Sequence, residues 1–178
     1  MEFSKLSIED YNKLLGAKVS TPGGGSALAI TLSLACSLCS MVINFTIDKK
    51  GYEELKDKLE EYKKQVEIVL QKAYFLSDED ARVYSSLMSA YKSKDPEEIE
   101  KRSIDASLVP YEIYLSAEII QNIADDLYLC ANKNIISDAK IASNLCYSIY
   151  PGCVATIKAN INSIHDEEVL SKLKSIIE

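Results

Sequence analysis

Between Val19 and Ile47 the chain carries no charged residue, and within that run stand three consecutive glycines, Gly23 to Gly25. A stretch this long and uncharged either crosses a bilayer or is covered by protein on all sides. Ser26, Thr31, Ser33, Ser37, Ser40, Asn44 and Thr46 interrupt it, and glycine, alanine and serine stand where a lipid-facing helix favours leucine and phenylalanine. The rest of the sequence offers no second span. The expectation is therefore a buried helix of small residues, with other helices closing around it and no membrane partner. The glycines need a reason of their own, because each costs roughly 1 kcal/mol more than alanine inside a helix.

The remaining chain reads as helix, with no sustained two-residue alternation and no Asn-Gly or Asp-Gly hairpin signal. Ser7 is placed to cap a short helix through about Leu15, which Gly16 ends. Thr21-Pro22 gives a cap followed by proline at the first helical position, starting a helix to about Thr46. From Tyr52 to about Lys92 one stripe recurs at alternating spacings of four and three: Leu55, Leu59, Tyr62, Val66, Val69, Ala73, Leu76, Asp80, Val83, Leu87 and Ala90. Asp95-Pro96-Glu97-Glu98 starts the next helix, and Pro110 is expected to break or kink it before it runs on to about Ala131. After the turn at "ANKN", Ser137 begins a helix to about Tyr150, Pro151-Gly152 punctuates, a further segment carries Val154 to about Ile164, and Asp166 opens the last. No repeat or linker divides the chain. The fold class is all-α: a multihelical bundle over residues 1–178 as one domain, with a buried small-residue central helix and long amphipathic helices around it.

Composition narrows the function. Twenty-seven acidic residues against 20 basic ones give a net charge of −7, without a Lys/Arg-rich block, which disfavours nucleic acid and anionic membranes as partners. Five cysteines, an odd number behind a partly acidic N-terminal segment, read as reduced thiols of a cytoplasmic protein. Cys36 and Cys39 have the two-residue gap of a metal or redox pair, but no second pair follows and their surroundings are apolar, so they read as core side chains and no metal site is expected. The single histidine, His165, reads as a helix-end residue. The one carboxylate on the long apolar stripe is Asp80. A lone buried carboxylate costs several kcal/mol unless paired, hydrogen-bonded or protonated, so Asp80 is either part of a helix-to-helix ion pair, at an opening of the seam, or retained for function. The glycine triplet fits neither a Walker loop nor a dinucleotide fingerprint, since no strand precedes it. It either exposes a helix N-terminus to a ligand or lets another helix cross closely.

Five segments in order carry a resemblance: "TPGGGS" (21 to 26), "DEDARVYSSLMSAYK" (78 to 92), "VPYEIYLSAEII" (109 to 120), "NKNIISDAKIA" (132 to 142) and "GCVATIKANIN" (152 to 162). Together they resemble the formiminotetrahydrofolate cyclodeaminase and methenyltetrahydrofolate cyclohydrolase family over about Leu14 to Glu168. Two departures are Ala131, where the family often has glycine, and Thr156, where it often has asparagine.

The resemblance implies a tetrahydrofolate derivative as substrate, no cofactor beyond it, and a homodimer with the site near the subunit boundary. It implies chemistry at the one-carbon bridge between N5 and N10, catalysed by Asp80 and Asp138. One of these carboxylates supports the cationic bridge and activates water while the other assists proton transfer to the departing nitrogen. Pro22, Gly23, Gly24, Gly25 and Ser26 would cradle the pterin edge or a glutamate carboxylate, Asn134 and Asn160 would supply neutral hydrogen bonds, and Asp78 would stand behind Asp80. The expected activity is a methenyltetrahydrofolate cyclohydrolase, with formiminotetrahydrofolate cyclodeaminase as the alternative. A non-catalytic helical interaction module is the competing class, and it expects Asp80 to tolerate leucine.

Overall fold

The computed structural model describes residues 2–177, in which six α-helices and three short 3-10 turns occur and no strand is found. The helices are α1 (Ile8–Leu15), α2 (Gly24–Asn44), α3 (Lys56–Ser93), α4 (Pro96–Cys130), α5 (Ile136–Asn160) and α6 (Glu167–Lys174). The four long ones form the body. α2 packs against α3, α4 and α5, the α4–α5 and α3–α4 contacts close the bundle, and the expected central helix is thereby in place.

α2 is central because its small residues allow close packing. Ala29, Leu32, Ala35, Cys36, Cys39, Val42 and Ile43 are all fully buried. An added Cβ on Gly152 of α5 would lie 2.8 Å from Leu28 Cδ2, so glycine there is what lets α5 approach α2. By length and composition α2 could cross a membrane, but half of the apolar window is covered by its neighbours. The thiols of Cys39, Cys146 and Cys153 are pushed up to about 12 by burial, which leaves them inert core residues.

The α3 stripe behaves as its spacing requires. Leu59, Val66, Val69, Ala73, Leu76, Val83, Leu87 and Ala90 are buried, Leu55 and Tyr62 pack at its margin, and Asp80 is half-buried. Burying each large aliphatic side chain contributes about 1.5–3 kcal/mol, enough to hold a long helix whose own propensity is modest. Ser7 caps α1, Asp95 caps α4 and Asp166 caps α6, each accepting a backbone N–H in the first turn.

Two expected breaks are absent. α4 runs unbroken through Pro110 and α5 through Pro151. A mid-helix proline costs about 3 kcal/mol through a lost hydrogen bond and a clash. In α4 that cost is outweighed by burial on both sides of Pro110, at Ala106, Val109, Ile113 and Ala117. In α5 Pro151 lies on the exposed face, where water can serve the carbonyl it leaves free, while Cys146, Ile149, Cys153 and Ile157 stay buried across it. Tertiary packing overrides the local signal in both helices. The start of α2 also differs: Thr21 and Pro22 lie outside it, joined by a cis peptide, and Gly23 takes the cap position in extended backbone (φ −127°, ψ −160°).

Candidate active site

Gly23 cannot supply a capping side chain, and Thr21 is too far back to do so. The acceptor comes from another helix. Asp80 Oδ2 of α3 accepts the Ser26 backbone N–H at 3.0 Å, so a carboxylate sits against the positive end of α2. This resolves the lone acid on the apolar stripe: its partner is a helix terminus, not a basic side chain. Burial raises the Asp80 carboxyl above the ordinary carboxylate range, and the Ser26 N–H offsets only part of that rise.

Gly25 makes the arrangement possible. A Cβ added there would lie 2.0 Å from Asp80 Oδ1 and 2.5 Å from its Cγ, so any larger residue would collide with the carboxylate. At Gly23 and Gly24 the space is open to 4 Å. The close helix crossing read as one possible purpose of the triplet therefore applies to Gly25 alone, while its two neighbours leave the helix terminus uncovered. Pro22 is buried beside them.

Beneath the carboxylate lies a buried hydroxyl chain. Ser26 Oγ is 2.8 Å from Ser77 Oγ and 3.1 Å from the Tyr11 hydroxyl. The Phe3 ring meets Tyr11 edge-on at 6.2 Å, and the Phe3 N–H donates to Asp78 Oδ1 at 2.6 Å. Asp78 is thus tied to the N-terminal segment and holds it against α3. Tyr11 and Ser77 were missed in the sequence, where one reads as an amphipathic-face residue and the other as a mid-helix serine.

Asp80 opens on a cleft of about 330 Å³. Its α3 wall is Val83, Tyr84, Leu87, Met88 and Tyr91; facing it are Ala106 of α4 and Thr156, Ala159 and Asn160 of α5. Thr156 donates its hydroxyl to the Gly152 carbonyl at 3.0 Å. A wider hollow of about 860 Å³ beside Ile47 and α3 is lined by Ile47, Ile68 and a mixture of lysines and acidic residues, and Asp80 does not line it.

Asn134 and Asp138 lie elsewhere. The turn before α5 is organised by Asn132, whose amide donates to the Phe45 carbonyl at 3.1 Å and whose Oδ1 accepts from Lys49 Nζ at 2.6 Å and from Asn134 N at 3.2 Å. This is the end of α2 remote from Asp80. Asp138 sits half-buried in the first turn of α5, whereas Asn160, its last residue, lies in the Asp80 cleft. At 1.5 Å per residue the two are about 33 Å apart along the helix. One chain therefore brings together Asp80, Gly25, Ser26 and Asn160, and does not bring Asp138 or Asn134 to them.

The fold is thus of the class of all-helical bundles in which a half-buried carboxylate caps a glycine-started helix and faces a largely apolar cleft. The particular family is plain: residues 7–178 match the model of the formiminotransferase-cyclodeaminase family, and the chain belongs to it. A methenyltetrahydrofolate cyclohydrolase from Methylorubrum extorquens is 27% identical over 184 residues, covering 96% of this chain and 88% of that protein. The formimidoyltransferase-cyclodeaminase of Rattus norvegicus is 23% identical over 177 residues, 94% of this chain but only 33% of its own length. The crystal structure of a formiminotetrahydrofolate cyclodeaminase from Thermotoga maritima superposes with a TM-score of 0.92 at 28% identity, over 98% of this chain and 90% of that one.

Proposed function

We propose that the chain is a folate one-carbon enzyme, a methenyltetrahydrofolate cyclohydrolase interconverting 5,10-methenyltetrahydrofolate and 10-formyltetrahydrofolate. The observation that carries this is Asp80, which has one oxygen fixed by the Ser26 N–H, lines the cleft, and is made a stronger base by burial. The methenyl bridge is a delocalised cation, which a carboxylate in a half-buried, low-dielectric site attracts strongly. Water adds to the bridge carbon as its proton passes to Asp80. The resulting hydroxyl then gives up its proton, the carbon–N5 bond breaks, and N5 takes a proton, leaving the formyl group on N10 and one proton released overall. The cyclodeaminase alternative uses the same carbon with N10 as nucleophile and ammonia as leaving group. The match across 88% of a free-standing cyclohydrolase's length favours hydrolysis. The scheme draws on no metal and no second cofactor.

The second acid comes from a second copy. Ala27, Ile30, Thr31, Leu34, Leu38 and Met41 of α2, with Phe45 just past its end, form one uncharged stripe that the other helices leave partly open, with Leu34 and Phe45 half or more exposed. A two-fold axis crossing this stripe pairs the helices antiparallel, so that Asp138 and Asn134 of one copy approach Asp80 of the other. Homodimerisation is thus part of the reading. The five unpaired thiols support a reducing, cytoplasmic setting.

The test is the near-ultraviolet methenyl band. Wild-type protein is expected to accelerate its loss, while Asp80→Asn and Asp138→Asn are each expected to be inert. Mixed in equal amounts and allowed to exchange subunits, the two variants should recover about a quarter of wild-type activity, since half the dimers would then hold one intact site of two. No recovery despite exchange would show that Asp138 of one copy does not complete the Asp80 site of the other; growth of the band with ammonia release from formiminotetrahydrofolate would make the enzyme the deaminase. A folded wild type inert toward both substrates would leave the interaction module.

A further inference from the structure

Asp80, Tyr84, Leu87 and Tyr91 follow one another along a single face of α3, and two of these are tyrosines left 39% and 42% exposed. Exposed tyrosines are ordinary singly; here both line the cleft that starts at the proposed catalytic carboxylate, with Met88 between them. The opposite wall supplies Ala106 and Ala159, whose short side chains leave a slot against the tyrosine face. At about 330 Å³ the cleft is at the small end of the range for ligand sites, roughly 300–1,000 Å³, and takes one ring system but not a whole folate.

Its lining decides which ring. The pterin edge is crowded with donors and acceptors, and each left unpaired against Val83, Leu87, Met88 and the two alanines would carry a desolvation cost. With Asp80 engaged at the reacting carbon and the Thr156 hydroxyl already donated to a backbone carbonyl, the polar groups left to the slot are the Asn160 amide and the hydroxyls at the tips of Tyr84 and Tyr91, too few partners for that edge. The p-aminobenzoyl ring has an apolar perimeter. It is also bonded to N10, which is bonded to the reacting carbon, so a carbon held at Asp80 places this ring about one helical turn away, the roughly 6 Å rise that separates Asp80 from Tyr84.

We infer that Tyr84, with Tyr91 at the far end of the slot, stacks on the p-aminobenzoyl ring of the substrate, leaving the pterin to the open N-terminus of α2. This rests on the folate reading above and adds the polarity with which the substrate lies: aminobenzoyl along α3, pterin toward Gly23 and Gly24.

Two measurements test it. In wild type, p-aminobenzoylglutamate alone is expected to compete with methenyltetrahydrofolate. Tyr84→Ala should raise both its inhibition constant and the substrate KM by about three- to tenfold with kcat nearly unchanged, and Tyr84→Phe should restore the wild-type KM because the ring face, not the hydroxyl, makes the contact. Inhibition by a tetrahydropterin lacking the aminobenzoyl arm should be the same in wild type and Tyr84→Ala. The inference is overturned, with the folate reading intact, if an active wild type ignores p-aminobenzoylglutamate, if Tyr84→Ala weakens the tetrahydropterin instead, or if it lowers kcat at constant KM. A wild type that turns over no folate overturns both.

Discussion

Asp80→Asn is expected to cost about 10²–10⁴ in kcat while making the folded protein more stable at neutral pH. The activity loss follows from the proposed role of Asp80 as the base that meets the reacting water, and is the size such groups contribute. The stability gain follows from the burial that raises the Asp80 carboxyl: the charged form is the disfavoured one in the fold. A group raised on folding gives its full stability below its unfolded value and loses it as pH climbs through the higher folded one. At pH 8 the wild type therefore carries a penalty that asparagine escapes, while the amide oxygen can still accept the Ser26 N–H. The gain should appear as a higher Tm at pH 8 and should shrink away as pH falls into the range where an ordinary aspartate titrates. The acid limb of wild-type kcat/KM should lie above the pH at which an ordinary aspartate titrates. Thermal melts of both proteins at pH 4, 6 and 8, beside the pH–rate profile, check all of this. A melt lowered at pH 8 would mean that the charge on Asp80 is chiefly a cap for α2, and a fully active variant would remove Asp80 from the chemistry.

That opposition between stability and function was partly legible in the residues. The four-three spacing around Asp80 put an acid where hydrophobic burial demands leucine, and the structure answers with a helix terminus as partner. Capping of α1, α4 and α6 was equally readable, because Ser7, Asp95 and Asp166 act on backbone within three residues of themselves. The prolines misled for the converse reason: what keeps α4 and α5 whole is burial against distant helices, which local sequence does not encode. Asp138 shows the same limit. The family resemblance pairs it with Asp80, but only the length of α5 reveals that one chain holds them at opposite ends. Tyr11 and Ser77 gave no signal at all, since their partner is the hydroxyl of Ser26, far away in sequence.

Gly25→Ala should be the most damaging single methyl that can be added to this protein. The new Cβ would stand 2.0 Å from Asp80 Oδ1 and 3.0 Å from Oδ2, and the obstruction is a short carboxylate already bonded to the adjacent N–H, not the loose end of a long side chain. Either the carboxylate swings away, leaving the Ser26 N–H uncapped and the proposed base out of place, or α2 and α3 move apart along a tightly buried seam. Alanine's better helix propensity returns only about 1 kcal/mol, so a net loss on the order of 2–3 kcal/mol is expected, with activity down by about the same factor as in Asp80→Asn. Gly24→Ala is the control, because open space surrounds that position: its melt should be unchanged or slightly higher. The decisive variant is the double change Gly25→Ala with Asp80→Ala. Deleting the carboxylate removes the obstacle, so the pair should be far less destabilised than the sum of the single changes, while activity stays absent. Additive losses would show that Gly25 and Asp80 are not in contact, and the carboxylate seated on the glycine would no longer account for how the site is built.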